Sequence, residues 1–539
     1  MNSYLKDFLR LTLCILPLLV FRSVSAKPNI ILCVSDNHSI NSFSAYGGIF
    51  KDLNPTPNLD RISKNGVLFQ NAFSTIPTTG PSLASLLTGL HSHDHGFLQN
   101  NKRFNDSLIT LPKVLKDIGY QTGLFGSWEL GNKPIGFDHW EILASPSEIY
   151  NPEILSQLDS QKIQGHATDI ISDRVIHWID KKRSTMNPIF VLVLFNGTRK
   201  PWIPPVRYLE LHDDRILPEP ESLDSNYSGR APPSRYQKMN ILNDLDLNND
   251  FFLNFDKTPK TKSAGSIQSV GQKNIEQMNG EQFSAWKLAW SAKNEAFLGS
   301  TLQNKELLRW KYQRFAKNYL RCVKAIDDNI GRIHDTIISQ KDKSWKFVYT
   351  SNQGNCLGEN GWFGSSWAYD CSVRVPLIFF ETKSVVKKDL KILSLVQIID
   401  LFPTLINAIN HDTKLINLPG CDLNSLMEGK IEDLNRKVLY FDHHEFPGQW
   451  MVPKYYAIRS NRFKIIHYHQ FNEWEFFNLE KDPTEQINCI NKDFYEKEIG
   501  KMKELLKDKR GNYGLKKFVE SMPEEWRRIY RGPSARKEQ

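Results

Sequence analysis

Polar side chains follow two apolar runs of the sequence, at the points where each run would end as a buried strand. Asp36 and Asn37 follow the run from Asn29 to Val34, and Asn352 and Gln353 follow a similar run. On a sheet of parallel strands, ligands bind beyond the carboxyl ends of the strands. These four side chains are therefore candidates for contact with a ligand at one edge of the fold.

A second candidate is a short segment that is rich in imidazoles. It holds three histidines and one carboxylate, at His91, His93, Asp94 and His95. Imidazole and carboxylate groups at such close spacing can hold a metal ion. A buried histidine that forms hydrogen bonds within the core is the alternative interpretation.

These residues need strands and helices to position them. Apolar runs rich in β-formers predict strands at 29–34, 121–125, 189–195, 346–350 and 376–380. Helical patterns lie between them at 59–65, 82–88, 111–118 and 166–182, and a long one spans 305–338. Strands that alternate with helices predict an α/β fold, with a large mostly parallel sheet covered by helices on both faces.

Composition changes along the chain predict its domain organisation. Residues 1–26 have a positive start, a short apolar core and a small-residue end, which is typical of a signal peptide. An α/β domain is predicted for 27–425, with a long polar excursion at 206–300 that is a candidate lid. Short β-like segments predict a small antiparallel α+β subdomain at 426–510, and 511–539 forms a charged tail.

Overall composition excludes several classes of protein. The 539 residues are 40% hydrophobic and carry a net charge of +9, which fits a packed globular protein rather than a disordered or fibrous one. We find no nucleic-acid-binding motif and no later apolar stretch long enough to span a membrane. Six cysteines remain after the signal, which allows one or two disulfides. The sequence predicts an exported protein and leaves its oligomeric state open.

Several motifs carry a resemblance to a known family. The segment from Thr79 to Gly89 is TGPSLASLLTG, and later segments are SNQG from Ser351, GENGWFG from Gly358 and FNLEKDP from Phe477. The first resembles the type I sulfatase signature C/S-x-P-S-R-x-S-L-L-T-G, whose leading residue becomes formylglycine. The similarity covers about residues 27–510 and is nearest to the N-acetylglucosamine-6-sulfatase-like branch. It implies the fold of the alkaline phosphatase superfamily.

The resemblance implies a role for each matching position. The metal site of the family binds Ca²⁺ and corresponds to Asp36, Asn37, Asn352 and Gln353. The formylglycine precursor and the basic groups that hold the sulfate correspond to Thr79, Leu83, Ser127, Glu129, Arg199 and Ser365. Of these, Asp36, Gln353 and Arg199 keep a suitable group, whereas the others are replaced. Threonine cannot give an aldehyde by the family's maturation route.

These replacements predict a secreted sulfatase-family protein that is catalytically impaired or inactive and binds a sulfated carbohydrate or another acidic ligand. Removal of the nucleophile, carboxylates and basic clamp together leaves little catalytic power, and loss of carboxylates weakens Ca²⁺ binding. Two alternatives stay open: an active sulfuric ester hydrolase, and a phosphoryl hydrolase or transferase in which Thr79 is the nucleophile. The simpler interpretation of Thr79 is that it caps its helix.

Histidines supply the remaining candidates. His443 and His444 precede Glu445 in a predicted loop, where they either contact a sugar in the pocket or are ordinary packed histidines. His95, followed by Gly96, matches a structural position of the family, which favours a hydrogen-bonded core histidine over a metal site in the 91–95 segment.

Overall fold

The computed structural model describes residues 27–235, 237–254, 269–383, 388–409 and 418–512. The predicted signal peptide at 1–26 lies outside the described residues, as does the predicted tail from 513 onward. The predicted α/β class is confirmed: a ten-stranded sheet lies between helices, and a smaller antiparallel sheet follows it in the chain.

The large sheet is parallel at its centre and has antiparallel pairs on both sides of that centre, followed by one more parallel pair at one edge. Its ten strands are β1 (Asn29–Ser35), β2 (Val67–Phe69), β4 (Gln121–Gly126), β5 (His139–Leu143), β6 (Glu153–Ser156), β7 (Ser160–Lys162), β8 (Ile189–Phe195), β9 (Trp345–Ser351), β12 (Leu377–Glu381) and β13 (Leu390–Ile392). Their order is β13-β2-β12-β9-β1-β8-β4-β5-β6-β7. The five central strands β9, β1, β8, β4 and β5 are parallel. All five predicted strands are present, and the apolar pattern did not reveal β5 or the shorter strands nearer the edges.

Two small sheets and a set of helices complete the large domain. The paired strands are β3 (Ala72–Phe73) with β14 (Val396–Gln397), and β10 (Cys356–Leu357) with β11 (Phe363–Gly364). The helices are α1 (Pro57–Lys64), α2 (Thr79–Thr88), α3 (Ser92–His95), α4 (Leu111–Asp117), α5 (Ala167–Lys181), α6 (Pro232–Arg235), α7 (Ile241–Asp244), α8 (Val270–Gln277), α9 (Gly280–Leu298), α10 (Asn304–Ser339), α11 (Asp370–Val373), α12 (Leu401–Asn407) and α13 (Asn424–Met427). Separate apolar clusters lie on the two faces of the sheet, because its central strands are buried on both sides.

The polar excursion predicted for 206–300 contains more regular structure than its composition indicated. Helices α8 and α9 form there, and Trp286 and Trp290 of α9 are buried against Ile275 of α8. On α9, however, Leu288 is largely exposed. An apolar residue on the solvent side blurs the helical period that a sequence pattern depends on. The predicted lid function of this excursion stays a prediction.

The second sheet has four antiparallel strands in chain order: β15 (Leu439–His443), β16 (Tyr455–Arg459), β17 (Phe463–Tyr468) and β18 (Glu473–Asn478). Helix α14 (Glu496–Asn512) packs on this sheet. Among the described helices, none combines the length and the apolar composition that a membrane crossing needs.

Buried charges connect the second sheet to the large domain. Asp370 of α11 lies 3.0 Å from the Arg459 guanidinium and 2.6 Å from the Lys464 ammonium, and Lys464 lies 2.5 Å from Glu485. We call these four residues the Asp370 cluster. A disulfide joins Cys356 to Cys371 beside it, so one of the disulfides that the cysteine count allows is present.

Candidate functional site

A cavity of about 210 Å³ opens at the carboxyl ends of the central parallel strands. Its floor includes Asn37, which follows β1, and Gln353, which follows β9. Because β1 and β9 are paired along their whole length, residues more than 300 positions apart meet at this edge. The start of α2 and the loop between β15 and β16 supply the opposite wall.

The Asp36 carboxylate lies at the centre of a hydrogen-bond network on this floor. Its Oδ1 accepts hydrogen bonds from the Thr79 hydroxyl at 3.2 Å and from the Gln353 amide at 3.4 Å. The same amide nitrogen of Gln353 donates to Thr79 Oγ1 at 3.1 Å and to Asn37 Oδ1. The oxygens of Asp36, Asn37 and Thr79 therefore converge on an amide N–H group.

The long helix α10 fixes the backbone at Asn37. The Tyr319 hydroxyl donates to the Asn37 carbonyl oxygen at 2.7 Å and accepts a hydrogen bond from the Ser39 N–H at 2.8 Å. Asn37 has a φ of 56°, a left-handed conformation that asparagine tolerates better than most residues. Tyr319 thus holds the short turn that presents Asn37 to the cavity.

Helix α2 begins at Thr79, and the Gly80 N–H of its first turn is already occupied. Thr78, not Thr79, is the N-cap residue, so the simple capping interpretation of Thr79 was wrong. The Gly80 N–H donates to Asn100 Oδ1 at 3.0 Å, and Pro81 has no N–H group. A helix N-terminus ordinarily attracts anions through its free N–H groups. That capacity is reduced here.

Arg199 is neutralised by two carboxylates. Its Nη1 lies 2.5 Å from Glu129 Oε1, and its Nε lies 3.2 Å from Asp36 Oδ2. Burial raises the pKa of Glu129 and Arg199 opposes that rise, whereas both carboxylates hold the pKa of Arg199 above its ordinary value despite burial. We call Asp36, Glu129 and Arg199 the floor cluster. It has no positive charge in excess.

The second basic group of the cavity is paired as well. Lys200 lies 3.0 Å from the buried Asp250 carboxylate, and its ammonium lies 5.1 Å from the ring centre of Phe363 and 5.3 Å from that of Trp450. Trp202 lies beside Phe363, with ring centres 6.0 Å apart. These aromatic rings form one wall of the cavity and give it the amphipathic lining on which sugar rings pack.

Of the two adjacent histidines, only His443 lines the cavity. Its Nε2 donates to the Glu445 carbonyl oxygen at 3.1 Å, so its Nδ1 accepts the Thr78 hydroxyl hydrogen at 3.2 Å. Burial lowers the pKa of His443 to about 3, which keeps the ring neutral. His444 lies outside the cavity lining, 3.1 Å from Asp442.

The histidines of the 91–95 segment are packed in the interior. His95 Nδ1 accepts the Phe97 N–H at 3.1 Å, and its Nε2 donates to Ser85 Oγ at 3.0 Å. His91 and His93 are stacked with ring centres 5.5 Å apart, and His93 lies 3.5 Å from Asp442. His95 is placed as the core-histidine interpretation predicts.

The other residues singled out from the sequence have different surroundings. Ser365 lines the cavity, whereas Leu83 is buried in the apolar core of the large domain. The Ser127 hydroxyl donates to Glu129 Oε1 at 3.3 Å, behind Arg199. Asn352 is buried next to Gln353 and accepts a hydrogen bond from Ser82 Oγ at its carbonyl oxygen. Six of the predicted positions therefore surround the cavity directly: Asn37, Thr79, Arg199, Gln353, Ser365 and His443.

The floor does not fit the Ca²⁺ ion that the resemblance implies. Ca²⁺ is bound by six to eight oxygens, several of them carboxylates. The four implied ligands include one carboxylate, Asp36, and its Oδ2 lies beside the Arg199 guanidinium. The Gln353 N–H group also points at the oxygens that would have to turn towards a cation. We therefore derive no chemistry that involves a metal ion.

The sequence analysis missed several residues of the lining, namely Asn100, Lys200, Trp202, Phe363, Glu445 and Trp450. Lys200 and Trp202 follow strand β8, so the rule that identified Asp36 also applies to them. Trp450 and Glu445 belong to the same loop as the predicted histidines. No sequence pattern around Asn100 indicates a place in the cavity, because its role depends on its contact with Gly80.

Comparison with known families gives two matches. Residues 28–411 match the family described as Sulfatase, and residues 358–512 match the family described as N-sulphoglucosamine sulphohydrolase, C-terminal. The two matches overlap, and the predicted boundary at 425 stays a prediction.

Individual proteins are similar over nearly the whole chain. The N-acetylglucosamine-6-O-sulfatase of Bacteroides thetaiotaomicron is 33% identical over 495 residues, which cover 90% of this chain and 87% of that protein. The arylsulfatase of Clostridium perfringens is 22% identical over a match that covers 89% of this chain and 94% of that protein. A solved protein in complex with its substrate D-glucosamine-2-N,6-O-disulfate superposes with a TM-score of 0.86 at 31% identity, covering 92% of this chain and 100% of that one.

Proposed function

Because the chain belongs to the sulfatase family, and is similar to its N-acetylglucosamine-6-sulfatases, we propose that it binds a sulfated glucosamine-type saccharide without hydrolysing the sulfate ester. The observation that carries this proposal is the floor of the cavity. Thr79 stands at the position that the resemblance assigns to the formylglycine precursor, and its hydroxyl is held by Asp36 and Gln353. Arg199 is held by two carboxylates.

Physical chemistry supports the loss of turnover. Cleavage of a sulfate ester moves negative charge onto oxygen, so catalysis needs unpaired positive charge and oriented donors at that position. Loss of a single such donor costs about 10²–10³ in rate. Here the two cations of the cavity are both paired. The resemblance assigns basic groups to the positions of Glu129 and Ser365, which are acidic and neutral in this chain.

Carbohydrate binding is supported by the wall opposite the floor. The partly exposed Trp450 lies beside Phe363, with ring centres 5.5 Å apart, and Gln449 and Glu445 add polar groups at the rim. The solved neighbour is in complex with D-glucosamine-2-N,6-O-disulfate, and its fold superposes on 92% of this chain. We propose that the ligand here is of the same glucosamine class.

The decisive experiment measures turnover and binding on the same full-length preparation. We expect no sulfate release from glucosamine-6-sulfate, N-acetylglucosamine-6-sulfate or an aryl sulfate, with or without Ca²⁺. We also expect saturable calorimetric binding of at least one of three probes: N-acetylglucosamine, its 6-sulfate, or a sulfated glucosamine disaccharide. Binding should weaken about tenfold or more in Trp450→Ala, because stacking on an aromatic ring is lost.

The two alternative activities have their own outcomes. Sulfate release that disappears in Thr79→Ala would show an active sulfatase and contradict the proposal. The phosphoryl-transfer alternative needs Thr79 as a nucleophile, and the Thr79 hydroxyl does donate its hydrogen to the Asp36 carboxylate. A phosphodiester assay with Zn²⁺ or Mn²⁺ tests this alternative. Turnover there that is lost in Thr79→Ala would instead support the phosphoryl-transfer alternative.

We further propose that the protein acts after export. The support is the sequence of residues 1–26, with its positive start, apolar core and small-residue end. Expression in a secreting eukaryotic cell should yield a chain in the medium that begins at or near Lys27, as read by N-terminal sequencing. Retention of the uncleaved chain inside the cell would contradict export.

A further inference from the structure

We infer that the sugar residue entering this cavity presents a free hydroxyl group to the floor, and that a sulfate group at that position is rejected. This inference rests on the proposed function and specifies which end of a sulfated saccharide binds. Its basis is that the floor offers hydrogen-bond acceptors and paired cations, a combination suited to a donor and not to an anion.

Both cations of the cavity are already paired with carboxylates. Arg199 is held by Glu129 and Asp36, and Lys200 is held by Asp250. A sulfate group would have to displace one of these carboxylates from its partner, and the displaced carboxylate would stay buried without a counter-ion. Leaving a buried charge unpaired is strongly unfavourable. The floor therefore attracts a sulfate much less than an unpaired guanidinium would.

The floor of the cavity also presents hydrogen-bond acceptors. Asn37 and Thr79 line the cavity, and the side-chain oxygens of both accept hydrogen bonds from the Gln353 amide nitrogen. The Thr79 hydrogen is directed at Asp36, and each of the two oxygens keeps a further lone pair that can accept from a ligand hydroxyl. A sulfate ester has acceptors only, whereas a sugar hydroxyl can donate. A buried acceptor left without a donor is costly.

The start of helix α2 adds to the same bias. In a site that binds anions, N–H groups of the first helical turn point at the ligand. Here the Gly80 N–H is bonded to Asn100. Asn100 is also linked to the rim, because its amide donates to Glu445 at 3.4 Å.

The size of the cavity suits one sugar residue. Pockets for drug-sized ligands have roughly 300–1,000 Å³, and this cavity has about 210 Å³. We therefore expect a saccharide chain to insert its end residue and leave the remainder outside. Sulfate groups on that remainder do not meet the floor. The selection concerns only the residue that is inserted.

The test compares one matched pair of ligands, N-acetylglucosamine and N-acetylglucosamine-6-sulfate, by isothermal titration calorimetry on the full chain. We expect the unsulfated sugar to bind at least tenfold more tightly. In Glu129→Gln one carboxylate is removed and Arg199 Nη1 is released, so the preference should fall to about equal or reverse. The control Glu381→Gln removes a carboxylate paired with Lys346 at the opposite end of the same sheet. It should keep the wild-type preference.

A second variant guards against a folding defect in the first. Ser365→Lys places a new cation in the cavity lining without removing an ion pair, and it should raise affinity for the 6-sulfate by about tenfold or more. Wild-type protein that prefers the 6-sulfate, with a ratio unchanged in Glu129→Gln, would overturn this inference and leave saccharide binding intact. Binding of the sulfated disaccharide alone, with neither monosaccharide bound, would overturn this inference and leave the proposed function intact. If none of the three probes binds the folded wild-type chain, the proposed function fails together with it.

Discussion

Two buried ion clusters of this chain use the same side-chain types in different surroundings. In the Asp370 cluster, two carboxylates face two cations, and the Lys464 side chain is fully buried. In the floor cluster, two carboxylates face one guanidinium whose side chain is 29% exposed at a cavity. The first is balanced and enclosed, as a structural contact between subdomains requires. The second has an excess of acceptors next to space for a ligand.

This difference separates stability from selectivity. An enclosed cluster cannot exchange its partners with water, so the loss of one member is expressed in the free energy of unfolding. A cluster at a cavity can be solvated when a member is lost, and its effect is expressed in what the cavity binds. Replacements in the Asp370 cluster should therefore change mainly the free energy of unfolding. Replacements in the floor cluster should change mainly what the cavity binds.

The largest effect is expected from Lys464→Met. It leaves the carboxylates of Asp370 and Glu485 close together and buried, which should reduce the free energy of unfolding by about 3–5 kcal/mol. Urea unfolding followed by circular dichroism measures this. The control is Lys430→Met, since Lys430 is an exposed lysine paired with Glu428, and it should change stability by less than about 0.5 kcal/mol. Equal effects of the two variants would show that the Asp370 cluster is not structural.

The next effect concerns pH. Burial, with Asp370 adding to it and Lys464 opposing it, raises the pKa of Glu485 to about 7. A carboxyl whose folded-state pKa is raised favours folding while it is protonated in both states, and this stabilisation is lost as pH rises from its ordinary pKa through about 7. The wild-type chain should lose up to about 3 kcal/mol relative to Glu485→Gln between pH 4.5 and 7. Parallel stability curves for the two proteins would contradict this assignment.

The same contrast explains what the sequence could predict. The order of strands and helices and the polar residues after strands were sufficient to place Asp36, Asn37 and Gln353 at one edge, because strands β1 and β9 have strong apolar signals. The pairing of Arg199 with Glu129 was not predictable. Compared with the family positions that the resemblance implies, Glu129 reverses the charge and Arg199 keeps it. The two residues are 70 positions apart in the sequence. They neutralise each other only because β4 pairs with β8.

Other features depend on packing that has no sequence period. Helix α9 buries Trp286 and Trp290 but exposes Leu288, so its segment appeared only as a polar excursion. The aromatic wall combines Trp202 after β8, Phe363 of β11 and Trp450 from the second sheet. Three segments far apart in the chain contribute one ring each, and none of them alone has a binding motif.

A smaller effect on stability is expected when the floor cluster loses its cation. Arg199→Met leaves Asp36 and Glu129 without their counter-ion, but Asp36 keeps its bonds from Thr79 and Gln353 and the cavity admits water. We expect a loss of about 1–2 kcal/mol, below that of Lys464→Met. The double variant Arg199→Met/Glu129→Gln should recover most of it in the same urea assay. A loss as large as that of Lys464→Met would remove the distinction between the clusters.

The smallest effect is expected from Ca²⁺. A ligand stabilises a protein in proportion to the logarithm of its concentration over its dissociation constant, and the four implied ligands include one carboxylate, Asp36, which already faces Arg199. Millimolar Ca²⁺ and an excess of chelator should therefore give the same unfolding midpoint for the wild-type chain. In Asn37→Asp/Asn352→Asp two carboxylates are restored, and Ca²⁺ at about 100 times its dissociation constant should add about 2.7 kcal/mol. Because the variant differs only in ligand charge, Ca²⁺ stabilisation of the wild-type chain would mean that amide oxygens suffice. The floor would then be a metal site rather than a neutral acceptor surface.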